Sequence, residues 1–169
     1  MKTPILLMAA LLILLMNACD RPLFGPNLPR ETQEGANTFG CRVDGEVWLP
    51  NNPVFPYISR GASYGYGSIR GTVRVFANNE DRVDGFDFYL EKLVFGPSRF
   101  VLSDTLQNPL VGYQKNGEIY WAQNGELAIT HLDTTQAGFI SGTFWFKAVN
   151  RTDSTDTIHL TDGRFDVRF

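Results

Sequence analysis

From Thr38 to the end of the chain, apolar and polar residues alternate with a period of two. That spacing predicts β-strands, whose side chains point to opposite faces in turn. The first pair is residues 39–43 and 46–49, joined by Asp44-Gly45, a dipeptide favoured in tight hairpins because both turn positions need positive φ. After an Asn- and Pro-rich connection over 51–56, strand patterns resume at 57–60 and 62–70, where Gly61, Gly65, Gly67 and Gly71 interleave with Tyr64 and Tyr66. Without a strand leading into a helix this spacing is no dinucleotide fingerprint, and glycines among strand-forming aromatics mark bulges or close backbone approach. Residues 72–76 and 86–90 flank a polar turn over 78–85. Val73 and Val75 oppose Arg74, while Phe86, Phe88 and Leu90 oppose Asp87 and Tyr89, so each strand has one face to bury, with Arg74 in reach of Asp87 or Glu91.

Short strands continue at 99–102, 111–114, 118–122 and 126–132, with Asn116-Gly117 and Asn124-Gly125 as two more hairpin signals. The longest pattern follows: Ile140, Gly142, Phe144, Phe146 and Ala148 share one face, with Ser141, Thr143, Trp145 and Lys147 on the other. Residues 157–160 and 164–169 complete the series, the last placing Phe165, Val167 and Phe169 on one side. No helical period occurs in this region. About ten to twelve short, turn-punctuated strands predict an all-β fold, an antiparallel β-sandwich or a partly closed β-barrel.

The segment ahead of these strands has a different character. Lys2 precedes an uncharged run of twelve residues, 5–16, and the chain then reads Met16-Asn17-Ala18-Cys19. A run that short does not span roughly 30 Å of hydrocarbon as a helix, so it reads as a signal peptide that the mature protein lacks. An ordinary secretory site wants small residues at the third and first positions before the cut; Ala18 suits the second of these, but Met16 is too bulky for the first. The segment resembles a lipoprotein box, which implies a diacylglyceryl group on the Cys19 thiol and cleavage just before it. Plain secretion and a retained signal anchor are the alternatives. The chain thus divides into a signal peptide over 1–18, a lipidated Cys19 with a Pro- and Gly-rich tether to residue 37, and one all-β domain over 38–169. Eighteen tether residues, 20–37, would reach roughly 55–65 Å when extended.

Removing Lys2 with the leader takes the fifteen basic residues to fourteen against eighteen acidic ones, a formal −4 with an acylated N-terminus. That balance argues against a nucleic-acid binder, which needs a clustered basic face. With Cys19 acylated, Cys41 has no partner, so a disulfide framework is excluded; its alternating context makes it a small buried residue. His131 and His159 have no ligands at a metal spacing, and no Gly-x-Ser-x-Gly elbow is present. The acidic turn over 78–85 lacks the spacing of a calcium loop. No catalytic residue, metal or cofactor is expected. Exposed aromatics are the candidates for recognition: Trp145, opposite the Phe stripe, and Tyr64 and Tyr66 in the glycine-rich segment.

The blocks from Gly35 to Cys41 and Val43 to Pro50, with Ile140-Ser141-Gly142-Thr143-Phe144 and Thr161-Asp162-Gly163-Arg164-Phe165-Asp166, resemble a family of uncharacterised Bacteroidota lipoproteins carrying a domain of unknown function. The resemblance implies an envelope lipoprotein with a β fold and carries over no catalytic residue. In that group an acidic cluster after the lipidated cysteine accompanies surface export. Here Asp20 is followed by Arg21 and Pro22, which favours the periplasmic face of the outer membrane. Motifs beginning at Asp104, Asp133, Asp153 and Asp156 also resemble the short O-glycosylation sequon of these bacteria. The expected function is a non-catalytic, lipid-tethered binding or assembly module, with the membrane as first partner and envelope proteins or glycans as further ones. The alternative is a lipocalin-like carrier of an apolar ligand, or a glycan-binding lipoprotein; Gly45-Glu46-Val47-Trp48 misses the lipocalin Gly-x-Trp spacing by one residue.

Overall fold

A computed structural model describes residues 27–51, 60–65, 72–79, 82–90, 96–103, 110–135 and 137–169, with the backbone alone over 60–65 and at 72. The signal peptide, Cys19, Tyr66, Glu91 and the motif at Asp104 lie outside the described residues. The described residues form ten strands: β1 (Thr38–Val43), β2 (Glu46–Trp48), β3 (Arg60–Gly65), β4 (Thr72–Asn79), β5 (Asp84–Leu90), β6 (Ser98–Ser103), β7 (Leu110–Lys115), β8 (Glu118–Leu132), β9 (Phe139–Asn150) and β10 (Thr157–Arg168). No helix occurs among the described residues.

All ten strands belong to one antiparallel sheet, with nine on the path β2-β1-β10-β9-β8-β7-β5-β4-β3. One edge of β8 pairs with β9, while its other edge takes β7 over 118–121 and then β6 over 124–129. The sheet curls into a half-barrel, so the all-β expectation is met by its partly closed form. Curling brings β3 within 8 Å of β10, measured between Cα atoms.

Aromatic rings hold that curl. Phe39 of β1 lies 5.3 Å from Phe86 and 6.0 Å from Phe88 of β5, and 5.6 Å from Phe144 of β9, measured between ring centroids. Strands far apart in the sheet order therefore meet through their inner faces. Trp48 adds an edge-on contact to Phe86 at 4.8 Å. Burying each such ring contributes about 1.5–3 kcal/mol, so this cluster helps to hold the half-barrel closed.

The turns test the sequence reading residue by residue. Asp44-Gly45 turns with φ of 49° and 88°, and Asn116-Gly117 with 51° and 86°, both as expected of hairpins. Asn124-Gly125 does not turn. Strand β8 runs straight through it, with a register shift against β9 between Ala122 and Asn124. A side chain at Gly125 would strike the Trp145 carbonyl and Phe146, so the glycine serves close strand approach rather than a turn. The two patterns over 157–160 and 164–169 are likewise one strand, β10, which ends at Arg168 and is interrupted by a bulge between Leu160 and Gly163 where Asp162 takes φ 52°.

Candidate functional site

The half-barrel's outer face carries a trough that strand register explains. Across β4, β5, β7 and β8, one row of directly opposed residues reads Phe76, Asp87, Gly112, Trp121, and the next reads Asn78, Gly85, Gln114, Ile119. Each row has one glycine, and the two lie on the adjacent central strands β5 and β7. The floor therefore drops to backbone between side-chain walls on β4 and β8, which stand three strand spacings, or about 14 Å, apart. The resulting cavity is about 400 Å³. Trp121 leans over its cross-strand partner, so that a side chain on Gly112 would come within 2.9 Å of the indole.

Polar groups line the same trough. Arg74 grips Asp87 in a forked pair, Nε donating to Oδ1 at 2.8 Å and to Oδ2 at 3.0 Å, as its position across the hairpin led one to expect. The guanidinium also stands 5.7 Å from the centre of the Phe76 ring. Asn78 and Gln114 each bring an amide with both donor and acceptor atoms.

Of the residues expected to bind, Trp145 is 50% exposed on the outer face of β9, with Thr143 and Lys147 on the same side. It borders a shallower depression of about 300 Å³ together with Glu31, Glu126 and Arg164. Tyr64 lies on β3, its backbone opposite Val73, and Tyr66 lies outside the described residues. Trp145 and the trough occupy separate places on the sheet. Phe76 and Trp121, which wall the trough, were not singled out by the strand pattern; only their pairing with glycine-bearing strands marks them.

A second polar feature secures the N-terminal segment. Asp166 of β10 is 1% exposed, yet its carboxylate accepts five hydrogen bonds. Thr32 Oγ1 donates at 2.6 Å, the amides of Glu34, Gly35 and Ala36 at 3.0, 2.8 and 3.0 Å, and Ser141 Oγ at 2.7 Å. Gly35 makes this possible with φ 65°, which lets three successive N–H groups converge on one anion. Burial raises the carboxyl pKa, but the bonds from Thr32, Ala36, Glu34 and Ser141 outweigh it and bring the group to about 2. Arg168 ties the same segment by donating to the Glu34 carbonyl at 3.1 Å. The end of the stretch read as tether is thus fastened along the outside of β10.

Other reactive groups are in structural roles. Cys41 is fully buried, and burial pushes its thiol up. Burial, then the charge of Asp84, pushes up the Tyr113 hydroxyl, which donates to that carboxylate at 3.0 Å. His131 stacks on Phe139 at 4.3 Å. No group of three or more His, Cys, Asp or Glu able to hold a metal ion occurs among the described residues.

No curated protein and no solved structure matches the chain. A family model does match, over residues 62–167, from within β3 to the penultimate residue of β10, and includes the whole trough and Asp166. The chain belongs to the family described as Domain of unknown function (DUF6252).

Proposed function

We propose that this protein is a non-catalytic binding module, held by lipid on Cys19 at the periplasmic face of the outer membrane of a Bacteroidota cell. The trough across β4, β5, β7 and β8 carries the binding half of this reading: a concave surface of about 400 Å³ lined by aromatic and hydrogen-bonding groups on four paired strands. The Phe cluster occupies the space where a lipocalin-like carrier would hold its cargo, which favours the outer surface. The anchoring half rests on the leader and on Cys19. Two acyl chains, at about 0.8 kcal/mol per buried methylene, suffice for stable attachment.

The fastening of the segment ahead of β1 onto β10 sets the reach of such an anchor. Pro29, whose carbonyl accepts from Arg164 at 3.4 Å, is the first of the described residues tied to β10, so ten chain steps separate it from Cys19, at most about 33–36 Å. The domain therefore works close to the bilayer. Envelope fractionation of the wild type beside Cys19→Ser tests the anchor: the wild type should sediment with membranes and the variant should be released. A variant that sediments as firmly as the wild type refutes it.

A further inference from the structure

We propose that the trough over Gly85 and Gly112 is a carbohydrate site that takes a neutral saccharide, with Trp121 and Phe76 stacking on sugar-ring faces and Asp87, Asn78 and Gln114 binding hydroxyls. This inference rests on the binding-module reading and names its ligand class.

Three observations select the ligand. The trough's cation, Arg74, is already neutralised by Asp87 at 2.8 Å, so the site offers no net positive charge to a phosphate or sulfate. A wholly apolar ligand would strand the ion pair and two amides against hydrocarbon, at the desolvation cost of each polar group. A peptide has no edge to extend, because β5 and β7 are each paired on both sides and their ladders are occupied. A pyranose meets all three constraints. Its C–H face is apolar and flat enough to lie on an indole, and its adjacent hydroxyls both donate and accept. A carboxylate has about four lone-pair sites, so Asp87 retains acceptor capacity beside Arg74.

The glycines set the position of the binding groups. A side chain at Gly112 would come within 2.9 Å of Trp121, and one at Gly85 would strike the Asn78 side chain. Either would push the indole or the amide out of the place from which it lines the trough.

The test uses the full-length chain purified from membranes in detergent, titrated with neutral gluco-, manno-, galacto- and xylo-oligosaccharides and with sulfated and uronate-bearing ones. Tryptophan fluorescence and calorimetry read binding. At least one neutral series should bind, Trp121→Ala and Asp87→Asn should each weaken it about tenfold or more, and Trp145→Ala should leave it unchanged. Because Trp121 also covers Gly112, Gln114→Ala serves as a second variant with no such packing role, and it should weaken binding in the same direction. Binding lost with Trp145→Ala and kept with Trp121→Ala overturns the inference, as does preference for the acidic sugars. Absence of saccharide binding by a chain that still captures a defined envelope protein also overturns it, while leaving the binding-module reading intact. Turnover of any tested sugar would instead defeat that reading.

Discussion

Replacing Asp166 with Asn should destabilise the fold by about 2–4 kcal/mol at neutral pH, although the change is nearly isosteric. The carboxylate is 1% exposed and its pKa falls from 3.8 to about 2 on folding. At about 1.36 kcal/mol per pKa unit, that difference stabilises the folded chain by about 2 kcal/mol. The folded value is the lower one, so this stabilisation is fully present above the unfolded pKa of 3.8 and disappears as pH falls through about 2. Asparagine retains one acceptor oxygen but turns an NH₂ toward either Thr32, Glu34 and Ala36 or Gly35 and Ser141. The backbone amides on that side then face a donor, at roughly 1–3 kcal/mol for each buried group left unsatisfied, whereas the hydroxyls can turn to accept. Urea denaturation of both proteins at pH 7 and at pH 2–3 measures the effect. The gap between them should be widest at neutral pH and shrink in acid, and the amides of 34–36 should lose hydrogen-exchange protection in the variant. A gap below about 0.5 kcal/mol at pH 7, or one that does not narrow with acid, would refute this account of the clasp.

Other expectations follow from single contacts. Native Cys41 should resist alkylation until the protein is unfolded, because it is fully buried and its thiol is pushed up; labelling in the folded state at the unfolded rate would contradict this. A double-mutant cycle on Arg74 and Asp87 should give about 0.2–1 kcal/mol, falling with salt, since both side chains are about half exposed; a coupling above 2 kcal/mol would mean the pair is more shielded than its geometry indicates. Gly125→Ala should cost at least about 1–3 kcal/mol in thermal or urea unfolding, because the methyl meets the Trp145 carbonyl and Phe146. A neutral result would show that β8 and β9 can separate there without loss.

The sequence pattern exposed the fold class and most strands because one face of each must be apolar over its own length. It also placed two hairpins, Asp44-Gly45 and Asn116-Gly117, where local backbone chemistry decides. Asn124-Gly125 carries the same local signal, yet β9 lies alongside and the closeness of Phe146 claims the glycine for a different purpose. Pairing partners decide such cases, and a strand's own residues do not name them. The trough was hidden for that reason: Phe76, Asp87, Gly112 and Trp121 form a row only once four strands are in register. Asp166 was hidden differently. It falls on the outward phase of a terminal strand, where a carboxylate looks solvated, and four of its five partners lie 130 to 134 positions earlier in a Pro- and Gly-rich stretch with no strand period. Trp145 was legible as an exposed aromatic because the Phe stripe opposite it fixes the phase of β9.

Attachment at the envelope depends on the chemistry of Cys19. Peptide mass spectrometry of the protein isolated from its native envelope addresses that residue directly. An N-terminus that begins at Cys19 and carries diacylglyceryl, with or without a further acyl chain on the amine, is the predicted result. A mature chain that begins elsewhere, or one with an unmodified Cys19 thiol, would contradict it.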